Sequence, residues 1–239
     1  MSKAFPTTSA EAAEENHLIN CNPLEYRTTR RILPVASAAA LAVALAFSLP
    51  QLAHADPISP PPVPTNIAVP AGNQLLLVGH AVGTQNYVCL PSGPGSVAFA
   101  LFTPQAALFN EDGQQITTHF FSPNPFENNT NPAVVTDGMI RATWQHSNDT
   151  STVWAQVKPG NSSSDPSFVA QGAISWLLLT AVGAKEGPTG GNALTNTTFI
   201  QRLNTSGGVA PSTGCNSHKD VGHLAFVPYR ADYFFYKSR

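Results

Sequence analysis

The sequence predicts an all-β fold, an antiparallel β-sandwich or flattened barrel, built as a single domain behind a signal peptide. Three observations carry that expectation. Short strand-like runs succeed one another through residues 73–239, glycine turn pairs such as Asp112-Gly113 and Asp137-Gly138 punctuate them, and no long stretch keeps a helical period.

The chain begins with a leader. Arg27, Arg30 and Arg31 form a positive start, residues 32–49 an apolar middle, and Ala53-His54-Ala55 a small-x-small site, a pattern that predicts export and cleavage after Ala55. A membrane anchor competes with this reading, but the apolar run is only about 18 residues long, rich in Ala and Ser, and interrupted by Pro34 and Pro50. Thr29-Arg30-Arg31-Ile32-Leu33 loosely matches the twin-arginine export pattern, with Pro34 where that pattern prefers an apolar residue. Residues 1–55 are thus expected to be leader and signal peptide, and the working location secreted or periplasmic. Residues 56–72, with prolines from Pro57 to Pro70, read as an extended tether in polyproline geometry ahead of the domain at 73–239.

Within that domain the candidate strands are 75–80, 86–90, 97–102, 114–121, 139–145, 152–157, 174–182, 197–204 and 223–236. The run Trp176-Leu177-Leu178-Leu179 suits a buried strand or a helical turn, and its β-rich neighbourhood favours the strand. Gly93-Pro94-Gly95-Ser96-Val97-Ala98 formally fits dinucleotide-binding spacing, but a strand rather than a helix follows it, so a hairpin turn explains it better. Residues 122–136, with Pro123, Pro125, Pro132 and several Asn, read as a long irregular loop. Alternation assigns faces to the hairpin around Asn148-Asp149: Ile140, Ala142 and Trp144 share one side of the first arm, and Val153, Ala155 and Val157 one side of the second. Trp154 then falls on the polar side, where it would be an exposed aromatic surface unless a second sheet or residues 120–131 cover it.

Composition sets bounds. Residues 56–239 hold eight Lys plus Arg against ten Asp plus Glu, so the body is nearly neutral and sparsely charged. With no basic cluster, nucleic acid is excluded as a partner. No apolar run after the leader suggests a membrane span. Cys21 lies in the leader, which leaves Cys89 and Cys215; in an oxidising compartment they make one disulfide, contributing about 4 kcal/mol in the chain-entropy model. A metal pair or a reactive thiol is the alternative.

Few residues suggest chemistry. His218, Asp220 and His223 lie close enough to propose a metal site, though tight binding needs a further convergent ligand such as His119 or His80, and an exposed polar loop gives the same letters. His119 is the general-base candidate, with Asp137 or Asp232 beside it; the alternative is a buried His bonded to a carbonyl. Arg202, Arg230 and Asp232 suggest either an ion-pair network tying the terminal strand to its neighbour or an anion or sugar-acid site. No cofactor is implied.

The motifs Asn86-Tyr87-Val88-Cys89, Gln105-Ala106-Ala107-Leu108 running into Asp112-Gly113, and Thr118-His119-Phe120 occur in order. Ile174-Ser175-Trp176-Leu177-Leu178, Thr205-Ser206-Gly207-Gly208-Val209-Ala210-Pro211, Cys215 and Val227-Pro228-Tyr229-Arg230-Ala231-Asp232-Tyr233-Phe234-Phe235-Tyr236 follow. Together they resemble the secreted family called domain of unknown function 3455. The resemblance implies one exported domain sharing Cys89 and Cys215, and it brings no activity, substrate or catalytic residue. This chain departs from the family after the His motif, where Phe121-Ser122-Pro123-Asn124 replaces a short Gly-Pro-Thr-Trp stretch.

The functional expectation is an exported, non-catalytic binding or envelope-associated domain, meeting glycan or another envelope polymer through residues 122–136 and Trp154. An extracellular enzyme, metal-dependent or a His-based hydrolase, is the first alternative, and a purely structural surface module the second.

Overall fold

Eight antiparallel strands follow one another in chain order and close into a barrel: β1 (Asn73–Gly93), β2 (Ser96–Phe109), β3 (Gln115–Asn128), β4 (Gly138–His146), β5 (Thr152–Ser163), β6 (Trp176–Lys185), β7 (Thr197–Gly207) and β8 (Leu224–Ser238). The computed structural model describes residues 58–130 and 138–239. The leader, its cleavage site and Asp137 lie outside the described residues. Among the described residues no helix is long and apolar enough to cross a membrane.

The barrel form of the predicted all-β class is the one adopted. Each strand pairs with its sequence neighbours, and β1 returns to β8 over a register from Asn73–Ser238 to Val88–Leu224. Closure leaves no strand without two neighbours, although β2 meets β3 only from Ala106 to Phe109. Nine candidate segments become eight strands because the first two merge into β1. Gly79 and Gly83 look like breaks in sequence but mark close approach to β2: a Cβ on Gly83 would collide with the backbone of Gln105 and Ala106.

A second difference concerns residues 122–128, expected in an irregular loop and found as the end of β3. The β2–β3 ladder stops at the Ala106–His119 pair, while the β3–β4 ladder runs on past Pro123–Ile140. Pro123 and Pro125 therefore sit where β3 has lost one ladder partner and a missing N–H costs little. Arg141 holds the far end, donating from Nε and Nη2 to the two Glu127 oxygens at 2.8 and 2.7 Å.

Alternation sends side chains into two cores. Trp144, Val153, Leu179, Ile200, Tyr233 and Phe235 belong to the inner one, and Val78, Trp176, Leu178, Leu203, Phe234 and Tyr236 to the outer one. The unbroken apolar runs of β6 and β8 follow from this, since both of their faces are covered. Each large apolar side chain taken fully out of water contributes ~1.5–3 kcal/mol.

The outer core needs a lid, and residues once expected to be a tether supply it. Ile67, in a 3-10 turn at Thr65–Ile67, is fully buried there, with Val63 and Val69 packed beside it. The Ile67 carbonyl accepts from Gln201 Nε2 at 2.7 Å, Tyr236 Oη donates to Gln201 Oε1 at 2.6 Å, and Asn66 Nδ2 donates to the Gly160 carbonyl at 2.7 Å. The Pro-rich segment thus docks along the barrel wall: polyproline geometry leaves its few apolar side chains free to be buried.

Cys89 and Cys215 are disulfide-bonded, with Cα atoms 5.4 Å apart. The bridge ties β1 to the β7–β8 loop, which also pairs with Cys89 through its N–H to the His223 carbonyl and its carbonyl to the Gly222 N–H, both at 2.9 Å.

Candidate functional site

Half of the barrel lumen is filled and half is open. Leu108, Ile116, Val153, Leu194 and Phe235 pack the filled half. The open half is a cavity of about 180 Å³ to which every strand contributes, from Gln85 on β1 to Tyr233 on β8. It adjoins a mouth of about 400 Å³; Gln85, Leu101, Leu177 and Arg202 line both. The mouth lies beside the β5–β6 and β7–β8 connections, which supply Ser164, Ile174, Ser175, Val209 and Ala210. In the wall, beyond the last β2–β3 ladder pair, the Phe121 N–H donates to the Thr103 hydroxyl at 3.0 Å.

The Gly207-Gly208 turn shapes one wall of the mouth. Both glycines have positive φ, and a Cβ on Gly208 would press on Tyr229, Ile174 and Gln85. Tyr87 Oη donates to the Gly208 carbonyl at 2.6 Å, and Thr205 Oγ1 to the Ile174 carbonyl at 2.6 Å. Ile174 and Ser175 are thereby held over the inward face of β7.

Arg202 projects from that face. Its register partners are Leu177 on β6 and Tyr233 on β8, both of which line the cavity. Nε and Nη2 donate to the Ser175 carbonyl at 3.2 and 2.8 Å. No carboxylate among the described residues pairs with Arg202. Burial raises the pKa of Tyr87, Tyr229 and Tyr233, and in each case the nearby Arg202 charge acts in the opposite direction. Two donors belong to residues of the same cavity lining. Gln85 is 2 % exposed and Trp144 fully buried, and neither Gln85 Nε2 nor Trp144 Nε1 has a hydrogen-bond partner among the described residues. Gln85 lies close enough to Tyr229 to favour its phenolate, yet without the alignment of a proper bond.

His119 lines the same cavity and stacks on Trp144, ring centroids 4.1 Å apart and planes 7° from parallel. Burial pushes its pKa down to about 3, against the opposing pull of the Thr143 carbonyl. The ring is neutral at physiological pH. Nδ1–H donates to that carbonyl at 2.9 Å, which leaves the lone pair on Nε2. Asp232, one of its expected partners, is on the outer face of β8, so the base dyad with Asp232 is not formed.

The expected network of Arg202, Arg230 and Asp232 is not formed either, because Arg202 faces inward while Arg230 and Asp232 face outward. Asp232 instead accepts from His80 Nδ1 and Asn204 Nδ2, both at 2.7 Å, and His80 Nε2 meets Glu111 Oε1 at 2.7 Å. Arg230 is exposed and makes no ion pair among the described residues. His80 and Asp232 are register partners of β1 and β8, 152 residues apart, a pairing no local pattern announces.

Trp154 points outward as its alternation predicts, but it is only 7 % exposed. Its Nε1 donates to Ser122 Oγ at 2.9 Å and the Phe126 ring meets it edge-on, so the end of β3 covers the expected aromatic platform. Among the described residues Phe102, Phe126 and Phe226 are the large exposed aromatics. The proposed metal trio does not converge. Asp220 caps the 3-10 turn His218–Asp220 by accepting the Asn216 and Ser217 N–H groups at 2.9 Å, with His223 Nδ1 at 3.7 Å on its other oxygen. Among the described residues no group of three or more His, Cys, Asp or Glu side chains is arranged to hold a metal ion.

Chemically, the open lumen offers apolar walls, one fixed cation and unsatisfied N–H donors. Sequence reasoning singled out Arg202 and His119 but missed Gln85 and the closure that brings them together. No curated protein and no solved structure matches the chain. The family model described as Protein of unknown function (DUF3455) matches residues 70–237, from just before β1 to the penultimate residue of β8, and the chain belongs to that family.

Proposed function

We propose that this is an exported, non-catalytic binding protein whose site is the open half of the barrel lumen. One observation carries the reading: Arg202 stands inside an apolar cup built from all eight strands, with no carboxylate among the described residues to neutralise it. A partly desolvated, unpaired cation is a cost to folding, so a purely architectural role explains it poorly. A bound partner that supplies acceptors explains it well. The charge pattern and apolar run of residues 27–55 support a location outside the cytoplasm, secreted or periplasmic.

An enzymatic role has weaker support. A general base works best with a pKa near the operating pH, and His119 is held near 3 with its Nδ1–H committed to a carbonyl. The serines of the mouth line it without imidazole or carboxylate beside them, and Ser164 and Ser175 bond to each other at 2.6 Å. The same low pKa suits a neutral wall residue of a binding cup.

Thermal unfolding against small amphiphilic anions, glycans, divalent metal ions and a chelator tests the reading. A ligand that binds only the folded state, at a hundred times its Kd, adds about 2.7 kcal/mol of stability. We expect a shift with small amphiphiles, lost in Ala142→Phe, which fills the cup. Shifts with metals alone, or an amphiphile shift that survives Ala142→Phe, contradict it.

A further inference from the structure

Taking the lumen as the binding site, we propose that its ligand is a small monocarboxylate with an apolar body about the size of one aromatic ring, its carboxylate held by Arg202. Charge sets the first limit. Among the described residues Arg202 is the only formally charged side chain lining either the cavity or the mouth, since the buried His119 is neutral. One guanidinium balances one negative charge. A phosphate monoester carries about −1.5 to −2 at neutral pH and would leave charge uncompensated in an apolar cup.

Hydrogen-bond polarity sets the second limit. Donors dominate the free groups of the site: the guanidinium N–H groups not spent on Ser175, Gln85 Nε2 and Trp144 Nε1, against the one lone pair of His119 Nε2. A planar carboxylate presents only acceptors and fits the guanidinium fork. Gln85 lines the cavity and the mouth together with Arg202, so the spare amide donor and the cation share one junction. That junction places the head group at the throat and the body inward.

Volume sets the third. A cavity of about 150 Å³ admits benzene, and the one here measures about 180 Å³. Phe121, Trp144, Leu177 and Leu179 give it apolar walls. A single ring or a medium-length alkyl chain fits; a larger hydrophobe would have to leave its far end in the mouth.

The test compares octanoate with octan-1-ol and benzoate with benzyl alcohol on the purified protein, by calorimetry and by tryptophan fluorescence, since Trp144 walls the cavity. Each carboxylate is expected to bind at least about tenfold tighter than its alcohol, the range of one charge-assisted hydrogen-bonded contact. Arg202→Gln is expected to erase that preference, the carboxylates losing at least about tenfold more affinity than the alcohols. Equal binding of acid and alcohol, or a preference that persists in Arg202→Gln, overturns the carboxylate assignment but leaves the lumen as the site. Absence of binding by all four probes overturns both. If Arg202→Gln does not fold, the acid–alcohol ratio on the unaltered protein decides alone.

Discussion

His80 and Arg202 sit on opposite surfaces of the same barrel wall and have opposite surroundings. His80, on the outside, lies between two carboxylates, Asp232 and Glu111, each 2.7 Å away. Arg202, on the inside, has a backbone carbonyl and no carboxylate among the described residues. On the outside a charge is paired, as Arg141 is with Glu127, or stands exposed to water, as Arg230 does. A cation that lines an apolar cavity with no carboxylate among the described residues beside it differs from both, and such local inconsistency marks a functional site more often than a structural one.

The largest test of that contrast concerns packing. Trp144, walled in by His119, Tyr233 and Phe235, belongs to the filled architecture as well as to the cup. Trp144→Ala is expected to cost about 3–5 kcal/mol in denaturant unfolding. Trp154→Phe, which keeps the ring against Phe126 and loses only the bond to Ser122, is expected to cost about 1 kcal/mol. Comparable costs would mean that inner and outer faces are equally determining.

Next comes Asp149, which closes the β4–β5 turn against the segment before β7. Burial disfavours its charge, but the Ala193 N–H and the Ser151 N–H and hydroxyl outweigh burial and hold its pKa at about 2. Its folded pKa is depressed, so its stabilisation is present above the unfolded value of 3.8 and is lost as pH falls through about 2. Asp149→Asn is expected to cost about 2 kcal/mol at neutral pH and to flatten the acid limb of stability in that window. An unchanged acid limb would remove Asp149 as its cause.

The smallest effect belongs to His80. Burial lowers its pKa, yet the hydrogen bonds to Asp232 and Glu111 prevail and raise it above 6.5. The pairing therefore stabilises the fold fully below 6.5 and fades as pH rises through the raised value. Because the imidazole is well exposed, His80→Gln is expected to cost under about 1 kcal/mol, and only at the acid side of that range. A cost that grows with pH would reverse the assignment.

Much of the wall was legible in the sequence. Period-two alternation placed Trp144, Val153 and Ala155 inward and Trp154 outward, and two cysteines in a body expected to be exported pointed to the bridge. Closure was not, because it rests on β1 meeting β8 across most of the chain, and alternation carries no information on which strands meet. The prolines of residues 122–128 read as loop because their neighbour β2 departs there, a tertiary fact. Ile67 was hidden in a segment whose composition favours solvated backbone. Arg202 stood out as a charge in an apolar strand, but its side of the wall follows from register, and Gln85 gave no local signal.

Methyl NMR on the protein titrated with octanoate tests the central claim most directly, because neighbouring residues on β6 report opposite faces. The account predicts chemical-shift changes at the inward methyls of Leu177, Leu179 and Val157 and none at the outward methyls of Leu178 and Leu203. Changes confined to the outward set, or no saturable change at all, would contradict it.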